Sequence, residues 1–128
     1  MDPEIWGPSA WMFLHTITLN YPENPTYQDK HSYKVFFDSL KNVIPCPKCR
    51  GHYKQNLIQF PIQLNSKKEL SQWLIDIHNQ VNIKNNKRIY SFKEVNDIYN
   101  KLYNPVSYTN TYLFIILIIC IFIYIYNK

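Results

Sequence analysis

Apolar side chains return every three or four positions through most of this chain, and the pattern changes only near the C-terminus, where polar positions give out. Trp11, Leu14, His15 and Thr18 mark one face of a first helix, predicted from about Pro8 or Ser9 to Asn20. Pro8 suits an early helical position because its missing N–H is not needed there. Tyr21-Pro22-Glu23-Asn24-Pro25 ends the helix. A second helix, roughly Gln28 to Asn42, carries Tyr33, Phe36, Phe37 and Leu40 on its buried stripe, and Pro45 stops it. The third starts at Cys46 and runs to about Gln59, where Phe60-Pro61 closes it. Ser66 and Glu69 form a capping-box signature ahead of Leu70, Trp73, Leu74, Ile77 and Val81. Ser91 and Glu94 repeat that signal before a short helix with Val95, Ile98, Tyr99 and Leu102. No βαβ alternation accompanies these elements, so the expected fold class is all-α: a four-helix bundle with a short fifth helix.

The last stretch reads differently. Tyr112 to Tyr126 contains no charge, Gly or Pro. Its 15 residues span only ~22 Å as a helix, and extension back to Tyr108 gives ~28 Å against a hydrocarbon core of ~30 Å. The expectation is a C-terminal transmembrane helix, with Thr109, Asn110 and Thr111 at the interface; a buried strand or interfacial helix is the alternative. The organisation is then residues 1–104 as a folded helical domain and 105–128 as a short linker and membrane anchor. The opening MDPEIWGPSAW has two acids and no basic region, unlike a signal peptide. Lys101 before the apolar stretch and Lys128 after it barely bias its orientation.

The formal charge of +5 is spread along the chain, densest at Lys84, Lys87 and Arg88. No basic tract or reading motif suggests a nucleic-acid partner. Three cysteines are too few for a stapled secreted scaffold, and Cys120, amid Ile and Phe, reads as an inert apolar thiol.

Chemistry concentrates at Pro45-Cys46-Pro47-Lys48-Cys49-Arg50-Gly51-His52. A CxxC at a helix start can cycle between dithiol and disulfide, ligate a metal, or form an inert bridge. Pro47 shapes the first turn, whose N–H groups favour thiolate, as Lys48 and Arg50 could. A zinc site would draw on Cys46, Cys49, His52 and His78, but no second cysteine pair supports it. Redox use is the leading reading. It requires an electron acceptor, and a second constellation suggests one: Trp11 and His15 lie four residues apart, and Trp73, His78 and Asn82 mark successive turns of another helix. Aromatic faces, imidazoles, amides and lysines together suit the planar ring, polar edges and anionic tail of a flavin. Only Gly7 and Gly51 are present, so no glycine-rich dinucleotide fingerprint exists. A thioredoxin fold is excluded by the missing α/β pattern.

Taken together, Trp6-Gly7, Trp11-Met12-Phe13-Leu14-His15, Cys46-Pro47-Lys48-Cys49 and His78-Asn79-Gln80-Val81-Asn82 resemble, in order and spacing, the Erv/ALR family of FAD-linked sulfhydryl oxidases, particularly its small viral branch. The likeness covers about residues 4–103. It implies an FAD-binding four-helix bundle, homodimeric, that oxidises paired protein thiols and passes the electrons to molecular oxygen, giving hydrogen peroxide. By motif, Cys49 would be the flavin-proximal thiol and Cys46 the interchange thiol. Trp11, His15, His78, Asn79 and Asn82 would contact FAD; Lys84, Lys87 and Tyr90 would serve its polar edge or tail; His52 and Trp73, with Tyr21 and Tyr99, are further candidates. No metal is implied. The chain departs from many cellular relatives: Ile75 stands where they carry a cysteine, residues 83–103 contain none, and there is no separate shuttle dithiol. An external carrier, such as a thioredoxin-like protein, is therefore expected to deliver electrons to Cys46. The expected location is an intracellular or virion membrane, single-pass, with the catalytic domain facing the cytoplasm. The alternatives left open are a zinc-binding helical module and a membrane-associated interaction protein with an inert cysteine pair.

Overall fold

The computed structural model describes residues 1–105 and 109–127, and every regular element among them is helical. The order is α1 (Pro3–Leu19), α2 (Tyr27–Val43), α3 (Pro47–Gln59), α4 (Lys67–Lys84), α5 (Phe92–Tyr103) and α6 (Thr109–Tyr126). The all-α expectation holds for these residues.

Local chemistry sets the helix starts. α1 opens at Pro3 rather than Pro8, because the Asp2 carboxylate accepts the Glu4 N–H at 3.0 Å and Pro3 occupies the first turn. Pro8 instead lies inside the helix, where its ring nitrogen cannot donate to the carbonyl one turn back. Thr26 and Asp29 form a reciprocal capping box that starts α2. At α4 only half of the expected box forms: Ser66 Oγ accepts the Glu69 N–H, while the Glu69 carboxylate turns to Asn65 Nδ2 at 3.0 Å. The Ser91–Glu94 box is complete.

The predicted stripes of α1, α2 and α4 face one core. Tyr21, Phe37, Tyr53, Leu70, Trp73, Leu74 and Ile77 are buried together, with Trp11, Leu14, Tyr33, Phe36 and Leu40 packed against them. Full burial of each large apolar side chain contributes about 1.5–3 kcal/mol. The phenols at the centre keep their hydrogen bonds: Tyr21 OH donates to the Leu64 carbonyl and Tyr53 OH to the Phe37 carbonyl, each at 3.0 Å. α4 packs against both α1 and α3, and α3 against α2. The chain forms two compact units, Met1–Val95 and Asn96–Lys128, with the division inside α5. The site described below belongs wholly to the first.

The expected membrane-spanning helix is not found in that form. Among the described residues, no helix is long and apolar enough to cross a membrane. α6 has 18 residues, or ~27 Å. Its first three positions are Thr109, Asn110 and Thr111, which leaves an apolar stretch shorter than the hydrocarbon core. The extension to Tyr108 lies outside the described residues.

Candidate active site

Cys46 is the N-cap of α3, extended in backbone, and Pro47 takes the first helical position. The sequence folds this way because Cys46 Sγ accepts the Cys49 N–H at 3.1 Å, supplying the cap that Ser or Thr supplies elsewhere. The Cys46 carbonyl receives the Arg50 N–H at 3.0 Å, closing the first turn. The two cysteines are joined in a disulfide with Cα atoms 5.1 Å apart. Both are half-buried, and α3 carries no acid in its first turn. Unpaired helix N–H groups and the positive end of the helix dipole therefore favour thiolate whenever this bridge opens.

A second cluster joins α1 to α4. The Trp11 indole stacks on His78 with centroids 3.8 Å apart and planes 8° from parallel. His78 Nδ1 shares a hydrogen bond with His15 Nε2 at 3.1 Å. Both imidazoles are pushed down to about 4, chiefly by burial, with His78 adding to the effect on His15 and Lys87 to that on His78. They are neutral at physiological pH. Sequence spacing alone suggested that these three side chains share a pocket, and the fold brings them together.

The end of α4 is turned by backbone chemistry. Asn86 adopts a left-handed φ of 53°, the Lys87 N–H reaches back to the Asn82 carbonyl at 2.8 Å, and the Asn86 N–H to the Ile83 carbonyl. This is a Schellman turn with asparagine in the place glycine usually holds. Beyond it, the Asn79 amide clasps Tyr90 from both sides, donating to its carbonyl at 2.8 Å and accepting its N–H at 3.0 Å. Lys87 pairs with Glu4 of α1 at 3.1 Å, and Arg88 pairs with Glu94 while lying 4.8 Å over the Tyr90 ring.

α3 and α4 run antiparallel. Trp73 Nε1 donates to the Phe60 carbonyl at 2.9 Å near one end, and at the other Lys84, with Lys48, lowers His52 after the larger effect of desolvation. That register directs the disulfide end of α3 toward the C-terminal end of α4.

The predicted residues thus divide. Trp11, His15 and His78 form one group, and Cys46 and Cys49 a bonded pair. Asn82 is buried at the turn and Lys84 exposed beside it. Asn79 and Tyr90 are engaged with each other. Trp73 stands in the core at 3% exposure, its ring edge-on to Phe37 and its N–H satisfied by protein. His52 is half-buried on α3. The structure adds three groups absent from the sequence-based set. Among the described residues, Trp6 Nε1, Asn56 Nδ2 and Ser71 Oγ are buried without a hydrogen-bond partner. Asn56 could have been noticed, because it interrupts the buried face marked by Cys49, Tyr53 and Phe60 at helical spacing.

The zinc alternative is overturned by this geometry. His78 is engaged with Trp11 and His15, the two cysteines are bonded to each other, and no group of three metal-ligating side chains is gathered among the described residues. The donor set suits FAD instead: neutral imidazoles and an indole for the ring system, and Lys84 for phosphate. Buried polar groups are normally paired, so the Trp6 and Asn56 donors are groups that a bound cofactor could engage.

A helical bundle with a disulfide capping one helix and a neutral histidine pair under an indole defines a thiol–disulfide redox protein of the cofactor-dependent kind. The comparisons agree. The Erv1 / Alr family model matches residues 8–100. A probable FAD-linked sulfhydryl oxidase of Acanthamoeba polyphaga mimivirus is 41% identical over 82% of this chain and 76% of its own length. The FAD-linked sulfhydryl oxidase ERV1 of Arabidopsis thaliana is 38% identical over 75% of this chain, which spans 50% of that protein. The crystal structure of the FAD-binding domain of Saccharomyces cerevisiae Erv1 superposes with a TM-score of 0.69 at 33% identity, covering 71% of this chain and 87% of that one. The chain belongs to the Erv1 / Alr family.

Proposed function

We infer that this protein is an FAD-linked sulfhydryl oxidase that forms disulfides in protein dithiols. The observation that carries the reading is the Cys46–Cys49 disulfide at the start of α3 within the same compact unit as the Trp11–His15–His78 cluster.

A substrate thiolate attacks Cys46 Sγ; the Cys46–Cys49 bond breaks, a mixed disulfide forms and Cys49 leaves as thiolate. The second substrate thiolate attacks the substrate sulfur of the mixed disulfide and releases Cys46. The substrate has then lost two electrons and two protons, and the enzyme pair is reduced. FAD, when bound, supplies the two-electron link from this pair to molecular oxygen, with hydrogen peroxide as product. The α3 N-terminus stabilises the Cys49 thiolate, and Pro47 holds the turn that keeps the pair in reach of each other. Trp11, His15, His78 and Asn82 would hold the ring and nucleoside portions, with Lys84 and Lys87 toward phosphate; Asn79 and Tyr90 would shape the loop carrying those lysines.

Three further assignments belong to this reading. An external dithiol carrier, thioredoxin-like or otherwise, would deliver electrons to Cys46. Exposed Met12 and Phe13 on α1 and Val35 on α2, with Phe13 edge-on to Phe36, support a homodimer, which a monomeric mass at sedimentation equilibrium would overturn. The apolar run from Tyr112 to Tyr126 supports attachment to a membrane, assigned in this reading as an intracellular or virion membrane with the catalytic unit toward the cytoplasm.

Anaerobic titration of the purified protein with dithiothreitol tests the central claim. An oxidised-flavin absorption band should bleach and then return on admission of oxygen. Cys49→Ser should retain the band and lose turnover by at least a thousandfold; a colourless wild-type protein sinks the assignment.

A further inference from the structure

From Ser39 through Lys68 the chain contains no Asp or Glu, while Lys41, Lys48, Arg50, Lys54, Lys67 and Lys68 are all basic. The disulfide sits inside this run. Lys48 and Lys54 are exposed on α3, Lys41 is half-buried on the last turn of α2, and Arg50 Nη1 donates to the Asn42 carbonyl at 3.1 Å. That bond ties the guanidinium across the gap between α2 and the cysteine turn. The ion pairs among the described residues are Lys34–Asp38, Lys67–Glu23, Lys87–Glu4 and Arg88–Glu94. None of them neutralises Lys41, Lys48, Arg50 or Lys54. The field reaches further still, since Lys84 and Lys48 both act on His52.

Uncompensated charge of one sign around a reaction centre raises the encounter rate of oppositely charged partners and discriminates against like-charged ones. Building on the thiol-oxidase reading, we propose that the Cys46–Cys49 disulfide is reduced by a protein dithiol set in an acidic segment, selected by the cationic collar of Lys41, Lys48, Arg50 and Lys54. The exchange is the one described above: two thiols of the acidic segment become a disulfide, the enzyme bridge becomes a dithiol, and two electrons move on toward oxygen. A nucleic acid would use positive charge along a tract; here the charge lies on the two helices joined at a reactive bridge, which favours the dithiol.

Competition between substrates tests this on the intact holoenzyme. Two reduced peptides share one Cys-x-x-Cys core, one flanked by Asp and Glu, the other by Lys and Arg, and oxygen consumption gives kcat/KM for each. The acidic peptide should be favoured at least tenfold at low salt, with the ratio falling toward unity near ~0.5 M salt as screening shortens the field. Lys41→Glu/Lys54→Glu should abolish or invert the preference while dithiothreitol is oxidised at the wild-type rate. Equal kcat/KM for the two peptides overturns the proposal and leaves thiol oxidation standing. So does equal inhibition of both peptides by a short single-stranded RNA without any preference between them, which would assign the collar to a polyanion. Failure to oxidise dithiothreitol and both peptides removes the underlying function instead.

Discussion

The His15–His78 hydrogen bond needs one nitrogen as donor and the other as acceptor, so it survives only while at least one ring is neutral. Burial holds both rings near 4, below the ordinary imidazole value. In the unfolded chain the same groups take up protons near 6.5. Stability from the neutral pair is therefore complete above that value and is lost progressively as pH falls from about 6.5 toward 4. The denaturation midpoint should decline across that window, and His78→Gln should flatten the decline; an unaltered slope would show that the pair is not the titrating element. Asn79 makes a separate claim at this scale. Its amide spends both a donor and an acceptor on the Tyr90 backbone, so its measurable role is to fix the loop. Asn79→Ala should raise the exchange rate of the Tyr90 amide at least tenfold by hydrogen–deuterium exchange, with a stability loss of about 1 kcal/mol. Unchanged protection would free Asn79 for a direct cofactor role.

At the level of the helices, what could be read in advance depended on whether the signal was local. The α2 and α4 stripes, the Cys46 start of α3 and the Ser91–Glu94 box are all short-range patterns, and they reappear in the fold. The start of α1 was misplaced because two prolines competed for the first turn; the deciding contact is the Asp2 cap, one residue before the earlier proline. Trp73 illustrates the opposite limit. Its helical spacing relative to His78 is compatible with a pocket or a core, and only tertiary packing against Phe37 and Phe60 selects the core. The turn after α4 was also hidden, since an Asn-Asn pair does not announce which residue will take the left-handed conformation. That turn yields a prediction. Asn86→Gly should leave stability unchanged or improve it, whereas Asn86→Val, with a branched side chain at φ 53°, should cost about 1–2 kcal/mol. Chemical denaturation distinguishes the two, and an equal effect of both substitutions would reject the Schellman assignment.

For the whole molecule, the helical bundle carries the proposed chemistry, and the apolar C-terminal stretch carries the proposed membrane attachment. Tyr112 to Tyr126 has nothing but apolar and aromatic side chains, with no polar face to turn toward water. A helix of this kind is more stable against hydrocarbon than in solvent, because each buried CH₂ contributes about 0.8 kcal/mol. Its apolar length falls short of a full bilayer core, so the proposed attachment would draw on a second helix from another copy, local thinning of the lipid, or a shallow position near one leaflet. All three outcomes share one consequence. Full-length protein should float with neutral phosphatidylcholine vesicles in a density gradient, and it should stay there at high salt, because the driving force is apolar. Deletion of residues 105–128 should return the protein to the bottom fraction. Recovery of the intact chain in the bottom fraction at every salt concentration would detach the enzyme from membranes and leave the helix to another partner. Release by salt alone would transfer the attachment to the basic residues of the helical bundle.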